Sequence, residues 1–141
     1  MDTTKMDSIK TSGDFKIRIG TDICSTKRVQ EAYERFGDRL LSKIMTEDER
    51  NYVLGSSHHT VARIAGRFAV KEACSKVLGV GWRGIGFRDI EVIKEASGKP
   101  GLLLHGRAKM LADSLNLKFF EVSLSHEHEF ATAFVLAHNG R

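Results

Sequence analysis

Residues 58–78, HHTVARIAGRFAVKEACSKVL, form the stretch that decides the fold. Apolar residues recur in it every three or four positions, which is the period of one face of a helix. Gly79 follows directly and suits the left-handed position that ends many helices. We therefore predict one long helix with a single apolar stripe, made of Val61, Ile64, Ala65, Phe68, Ala69, Ala73, Val77 and Leu78.

Shorter elements precede this helix. Alternation over 15–19 predicts a half-buried strand with Phe15, Ile17 and Ile19 on its apolar face, which Gly20 interrupts. A helix over 27–36 follows, capped by Ser25 or Thr26, and then a second short apolar stripe over 40–45. Thr46 and Glu49 have the spacing of a capping box, which predicts a short helix ending near Leu54.

The part after the long helix reads mainly as strands. We expect a strand near 89–93, a turn over 97–101, a short strand over 102–104 and a helix over 106–116. Two further strands, 119–124 and 129–137, are joined around Ser125 and His126, and so short a connection implies an antiparallel pair. This order predicts an α+β fold in which an antiparallel sheet packs against the long helix.

Length and composition indicate one domain. The chain has 141 residues, and we divide it into a polar, flexible extension over 1–14 and a domain over 15–141. No signal-peptide core is visible, and no apolar run is long enough to span a membrane. Cys24 and Cys74 form no CxxC motif and no disulfide framework, which indicates the reducing cytoplasm.

The net charge of +4 and the pI of about 9.2 are compatible with a phosphate-bearing ligand, nucleic acid or an acidic protein. The interleaving of basic and aromatic residues found in common RNA-binding folds is absent, so we do not expect a nucleic-acid module. Charge by itself does not choose between the two remaining partners.

Two carboxylates are candidates for metal binding. Glu72 lies beside the apolar stripe and four residues before Lys76, so it is either half of an ordinary ion pair or a group that needs another partner. Asp22 either caps the following helix or projects into a cleft at the end of the first strand. Mg²⁺ commonly takes one or two carboxylates together with substrate phosphates. The spacing leaves open whether these two side chains meet.

Other polar groups also have two interpretations. Ser125 and His126 lie either in a plain surface turn or against a phosphate, and no neighbouring residue completes a zinc-binding spacing. Arg28 and Arg35 are seven residues apart, which places them on one helical face. That face is either simply solvated or a docking ridge for an acidic helix.

Five motifs in order resemble those of one family. They are IGTDI at 19–23, GRFAVKEACSK at 66–76, DIEV at 89–92, GKP at 98–100 and VSLSH at 122–126. Together they are similar to the holo-acyl-carrier-protein synthases, the short homotrimeric phosphopantetheinyl transferases, over about residues 15–137. The extension at 1–14 and a tryptophan in the glycine-rich loop after the long helix are departures that remove no motif residue.

The resemblance implies transfer of 4′-phosphopantetheine from coenzyme A to a serine of apo-acyl carrier protein, with adenosine 3′,5′-bisphosphate as the other product. It implies that Asp22 and Glu72 bind Mg²⁺ and that Lys76 contacts phosphate or protonates the leaving group. Either carboxylate, or a water, would accept the serine proton. The alternative is a non-catalytic protein of the same fold that binds the carrier and does not modify it. Which carrier is modified stays open.

The resemblance also assigns the remaining site residues. Arg67, Ser125 and His126 would bind the coenzyme A phosphates, Gly98, Lys99 and Pro100 would line the nucleotide site, and Arg28 and Arg35 would meet the acidic carrier. A homotrimer is implied, in which His126 of one subunit completes the site that holds Asp22 and Glu72 of its neighbour.

Overall fold

A computed structural model describes residues 15–140, and the extension expected to be flexible at 1–14 lies outside the described residues. The described part has an α+β arrangement, in which one strand is followed by four helices and then by two pairs of strands with a helix between them, as the sequence predicts. The elements in chain order are β1 (Ile17–Ser25), α1 (Thr26–Phe36), α2 (Asp38–Ile44), α3 (Glu47–Leu54), α4 (Thr60–Leu78), β2 (Ile90–Lys94), β3 (Pro100–Leu104), α5 (Gly106–Ser114), β4 (Phe119–His126) and β5 (Phe130–His138).

The long helix α4 is the centre of the core. It begins at Thr60, two residues after the predicted start, and ends at Leu78; Gly79 caps it with a φ of 83°, the left-handed conformation expected there. Most of its side chains are buried, because the sheet covers one side and helices α1 and α3 with strand β2 cover others. Cys74 is fully buried among them and packs in the core.

The strands form two antiparallel sheets. One has three strands in the order β1-β5-β4, and the other pairs β2 with β3. The hairpin of β4 and β5 confirms the expected connection, although Ser125 and His126 are the last residues of β4 and not part of its turn. Likewise Pro100 is the first residue of β3, while Gly98 turns the chain before it with a φ of 91°.

Gly20 does not interrupt β1, and that prediction was wrong. The strand runs through it to Ser25, and a Cβ on Gly20 would lie 2.1 Å from the backbone oxygen of Ala73 in α4. Glycine is needed here because the strand and the helix approach each other more closely than any side chain allows. Side chains alternate along a strand, so Asp22 shares the helix-facing side with Gly20.

The apolar face of β1 was also assigned to the wrong side. Phe15, Ile17 and Ile19 are all at least half exposed, because the sheet turns its small residues towards α4. The buried side of the neighbouring strand β5 is made of Ala131, Ala133, Val135 and Ala137. The outward face of the three-stranded sheet therefore carries large apolar side chains, which in this chain face solvent.

Local signals near the other helices are largely confirmed. The capping box is present, with Thr46 Oγ1 accepting from Glu49 N and Thr46 N donating to Glu49 Oε1. Helix α5 ends at Ser114, two residues earlier than predicted. Between residues 15 and 140, none of the helices has the length and apolar character that a bilayer crossing requires.

Candidate active site

Asp22 and Glu72 border one cavity of about 340 Å³ between β1, α1, α2 and α4. The packing of Gly20 against Ala73 brings them together, because Asp22 lies two residues after the first contact residue and Glu72 one residue before the second. Apolar side chains of α1, α2 and α4 form the remaining wall, among them Val29, Leu40 and Phe68. Two carboxylates fifty residues apart in sequence thus meet at the edge of an apolar cleft.

Lys76 connects the strand to the helix at this cavity. Its Nζ donates to the backbone oxygen of Thr21 at 2.8 Å and lies 3.4 Å from Asp22 Oδ1. Among the described residues it forms no ion pair with Glu72, so the simple helical pair is not what the structure contains. Asp22 does not cap the next helix either, because Ser25 Oγ accepts from Arg28 N in that role.

Glu72 is half-buried, as its position beside the apolar stripe predicts. Its Oε1 accepts a hydrogen bond from the indole Nε1 of Trp82 at 3.1 Å. Within residues 15–140, its Oε2 accepts no hydrogen bond. One carboxylate oxygen is therefore held and the other is available to a ligand.

The negative charges of Asp22 and Glu72 both affect the pKa of the Cys24 thiol. It lines the same cavity, and burial together with the negative charge of Asp22 raises its pKa to about 11. Arg28 opposes this shift, and Glu72 adds a further rise. The thiol is thus protonated at neutral pH and is no nucleophile.

The donor set at this cavity fits a hard divalent cation. Carboxylate oxygens are the ligands that Mg²⁺ prefers, and it needs only one or two of them when substrate phosphates supply the rest. Across the part of the chain that the structure describes, no three His, Cys, Asp or Glu side chains converge as a complete protein-only metal site. The two carboxylates therefore suit a cation that arrives with a phosphate-bearing substrate.

A second cavity, of about 150 Å³, is basic. Arg67 and His126 line it together with Gly98 and Pro100, so four residues assigned to coenzyme A come together here in one chain. Gly66 makes room for the imidazole, because a Cβ there would lie 2.9 Å from His126 Cε1.

Arg67 is prepared to receive an anion in this cavity. Its guanidinium carbon lies 3.7 Å from the centre of the Tyr52 ring, and its Nε is buried without a hydrogen-bond partner in the described residues. Burial lowers the pKa of Arg67, and Tyr52 and Glu49 counteract that effect. A buried N–H without a hydrogen-bond partner destabilises the folded chain. A phosphate oxygen bound here would accept a hydrogen bond from Arg67 and remove that destabilisation.

Sequence reasoning missed three residues that bring charge or an aromatic ring to the second cavity: Tyr52, Arg63 and Lys94. Arg63 lies 4.2 Å and Lys94 Nζ 5.8 Å from the centre of the Tyr52 ring. The four-residue spacing of Arg63 and Arg67 on one helix is a signal that could have found the first of them. Tyr52 and Lys94 come from other elements, and nothing local marks them.

Two of the expected coenzyme A residues lie outside this cavity. Lys99 is exposed, and its Nζ forms an ion pair with Glu121 at 2.5 Å, which raises the pKa of Lys99 and lowers that of Glu121. Ser125 is exposed and pairs with Thr132 across the hairpin. Neither side chain lines either of the two cavities in this single chain.

Arg28 and Arg35 are both exposed on α1, the helix that flanks the carboxylate cavity. Arg28 lines that cavity directly, whereas Arg35 lies near the end of the helix, with its guanidinium 5.2 Å from the centre of the Phe36 ring. The basic face of α1 therefore leads to the mouth of the cavity.

Residues 18–135 match the model of the 4′-phosphopantetheinyl transferase superfamily, and the chain belongs to this family. Within the family it is similar to holo-(acyl-carrier-protein) synthases. The enzyme of that name from Gloeobacter violaceus is 46% identical over 121 residues, which cover 86% of this chain and 92% of the relative. That of Halothermothrix orenii is 42% identical over 122 residues, covering 86% and 97%.

Solved structures agree with this assignment. The crystal structure of the Neisseria meningitidis synthase superposes with a TM-score of 0.79 at 33% identity, covering 85% of this chain and 96% of that one. The Helicobacter pylori synthase, solved in complex with coenzyme A, gives a TM-score of 0.73 at 35% identity and covers 84% and 98%. The α+β fold predicted from the sequence is thus the fold of this family.

Proposed function

We propose that this chain transfers 4′-phosphopantetheine from coenzyme A to a serine of apo-acyl carrier protein with the help of Mg²⁺. The observation that carries the proposal is the meeting of Asp22 and Glu72 at one cavity, on the fold of a transferase family. The basic cavity around Arg67 and His126 supports it, since coenzyme A carries several phosphate charges.

The reaction forms a bond between the serine oxygen and the phosphorus on the pantetheine side, and it breaks the diphosphate bond to the nucleotide. Negative charge grows on the phosphate oxygens, and a bound Mg²⁺ supplies electrostatic stabilisation for it. Asp22 and Glu72 would hold the ion, and either carboxylate could accept the serine proton. Lys76 is exposed beside Asp22, where it can contact a phosphate or give a proton to the leaving oxygen.

The decisive experiment is a mass measurement on the carrier. The protein is incubated with apo-carrier protein, coenzyme A and Mg²⁺, and a parallel sample contains a chelator. A mass gain of one phosphopantetheine that the chelator abolishes supports the proposal. A carrier that binds without changing mass supports a non-catalytic carrier-binding protein, and nucleic-acid binding without any transfer supports neither.

The basic face of α1 is the proposed docking site for the acidic carrier. Arg28 borders the carboxylate cavity, so a carrier helix seated on α1 would bring its serine to the cavity mouth. Opposite charges at such a rim act mainly on encounter and affinity.

We expect Arg28→Glu to raise the KM for the carrier by about tenfold, a cost of about 1.4 kcal/mol, and to change the KM for coenzyme A little. Steady-state kinetics with each substrate varied in turn measure both constants. Arg107→Glu, an exposed charge reversal on α5, is the matched control. A KM for the carrier that stays the same in Arg28→Glu would refute the docking site.

We further propose that the protein is a homotrimer with active sites between subunits. Within the described residues no side chain lines both cavities, so a single chain presents its carboxylates apart from the basic cavity around Arg67 and His126. A neighbour that turns its basic cavity towards the carboxylates would complete the site. The outward sheet face supports this association, because large contiguous apolar surfaces mark protein contacts. Its members, between 41% and 63% exposed, are Phe15, Ile17, Ile19, Ile23, Phe119, Phe130 and Phe134.

Phe134 lies on the central strand of that sheet and tests the trimer. We expect Phe134→Glu to give a folded monomer with little transferase activity, because a charge on the face would be buried without a partner in the assembly. Sedimentation equilibrium and circular dichroism measure the association and the folding. Met110→Glu, at an exposed apolar residue on α5, should leave the trimer intact. A monomeric wild-type protein with full activity would refute the proposal.

The cytoplasm is the proposed location. Cys24 and Cys74 are both free and buried, which suits a reducing compartment. Coenzyme A and carrier proteins would have to be present in the same compartment.

A further inference from the structure

Trp82 contacts the candidate metal site from a loop that contributes nothing else to it. The loop follows α4 and turns at Gly81 and Gly84, whose φ values of 60° and 80° favour glycine. From this loop the indole Nε1 of Trp82 donates to Glu72 Oε1 at 3.1 Å. Because Trp82 belongs to a loop, its hydrogen bond to Glu72 persists only if other contacts hold the indole ring in place.

Aromatic stacking holds the indole. The ring of Trp82 stacks on that of Phe87 with centroids 3.9 Å apart and an interplanar angle of 27°. Phe87 stacks in turn on Phe68 at 5.8 Å, and Phe68 belongs to α4 one turn before Glu72. The three rings form a continuous stack that begins and ends beside the carboxylate.

The backbone under this stack is fixed from the core. The carbonyl of Phe87 accepts from Lys71 Nζ at 2.9 Å, and Lys71 is fully buried with its ammonium 2.8 Å from Glu49 Oε1. Phe87 lies in a short turn between Gly86 and Asp89, and the backbone N of Gly86 closes this turn by donating to Asp89 Oδ2 at 2.9 Å. The position of the indole is therefore tied to the residue that precedes Glu72 in α4.

We propose that Trp82 is a positioning residue for the cation site: its N–H holds Oε1 of Glu72 and thereby keeps Oε2 directed to a divalent cation. The inference rests on the proposed function, because it takes Asp22 and Glu72 as the metal ligands. A glutamate side chain has several rotatable bonds, and each free rotor that a metal must fix costs affinity. A donor to one oxygen also favours the charged carboxylate and limits its rotation.

The test measures cation binding directly. Mn²⁺ is titrated in place of Mg²⁺ into the full chain with coenzyme A, and electron paramagnetic resonance counts the free ion against a protein-free control. We expect Trp82→Phe, which keeps a stacking ring and loses the N–H, to raise the Kd for Mn²⁺ by about tenfold, as for other outer ligands of metal sites. Phe87→Leu weakens the stack and keeps the N–H, so we expect a smaller rise. Thermal unfolding confirms that each variant is folded.

A second measurement needs no variant. Trp82 is the single tryptophan of the chain, so its indole gives one N–H signal in a proton–nitrogen correlation spectrum. We expect that signal to shift when Mg²⁺ is added with coenzyme A, relative to coenzyme A alone. A signal that does not move would overturn the inference even if Trp82→Phe failed to fold.

The outcomes separate this inference from the proposed function. If Glu72→Gln binds Mn²⁺ as tightly as the wild type, the carboxylate pair is not the metal site and both proposals fail. If Glu72→Gln loses the ion while Trp82→Phe binds it like the wild type, only the positioning role of Trp82 is overturned. If Trp82→Phe raises the Kd for Mn²⁺ no more than Phe87→Leu does, the indole N–H has no role beyond ring packing, and the inference is also overturned.

Discussion

Glu72→Gln should lower the rate of phosphopantetheine transfer on the order of 10³-fold while the protein stays folded. The amide keeps the shape of the side chain, and its oxygen can still accept the hydrogen bond from Trp82. What is lost is one of the two negative charges at the cavity. Asp22→Asn should have a similar effect, and the loss is measured as kcat/KM with the carrier mass as readout.

The thermal stability of Glu72→Gln should stay close to that of the wild type. Glu72 is half-buried, and the amide oxygen of glutamine can keep the hydrogen bond from Trp82, so the change removes no contact that holds the fold together. We expect the Tm to stay close to that of the wild type. Asp113→Asn, an exposed carboxylate on α5, is the control and should leave activity unchanged. Full activity in Glu72→Gln would remove the basis of the metal assignment.

The second large effect concerns stability. Lys71 is completely buried, and its ammonium donates to Glu49 Oε1, to the carbonyl of Phe87 and to that of Ile90. Burial lowers the pKa of Lys71, and the charge of Glu49 opposes that shift. The pair lies at the junction of α3, α4 and β2, because Glu49 Oε2 also accepts from Val92 N at 3.0 Å.

Lys71→Met should therefore cost roughly 3–5 kcal/mol in the free energy of unfolding, because it leaves the Glu49 carboxylate buried without its counter-charge. For a chain of this size, the Tm would fall by roughly 6–20 °C. Urea unfolding followed by circular dichroism measures the change in free energy.

Two further variants examine the cause. Glu49→Gln in the Lys71→Met background should recover part of the loss, since the uncompensated charge is gone. Lys109→Met removes the exposed pair between Lys109 and Asp113 on α5 and should cost less than about 1 kcal/mol. If the double variant were no more stable than Lys71→Met, the buried charge would not be the source of the destabilisation.

The elements of the fold were predictable where short-range signals decide them. The apolar period of α4, the glycine at its end and the capping box at Thr46 each depend on residues within four positions of one another. The structure confirms all three. The capping box also shows a limit, because Glu49 is at the same time the buried partner of Lys71, and no local pattern reveals a contact 22 residues away.

The errors have one physical origin. Gly20 was expected to interrupt β1, and Ile17 and Ile19 were expected to be buried, because both are the usual outcomes for such residues. Neither expectation includes the closeness of β1 to α4, which admits only small side chains between them. The larger apolar residues consequently lie on the outward face, where the described part of this chain leaves them exposed.

In the candidate site, too, local motifs predicted the residues, while their contacts depend on tertiary packing. Asp22, Glu72, Lys76 and Arg67 were singled out from motifs; Asp22 and Glu72 line one cavity, Arg67 lines the other, and Lys76 lies beside Asp22. That Lys76 contacts Asp22 in place of Glu72 is set by the packing of a strand on a helix and is absent from the helical spacing. Metal binding by the two carboxylates stays a prediction.

The contact between Gly20 and Ala73 has a consequence for how such a site tolerates change. At this contact the backbone of β1 packs directly on the backbone of α4, within two residues of either carboxylate. The separation of Asp22 from Glu72 therefore does not depend on the size of a side chain between the two elements. Mutations elsewhere in the core can loosen or tighten the protein without altering that separation. The stability of the core and the geometry of the candidate site can therefore change independently of each other.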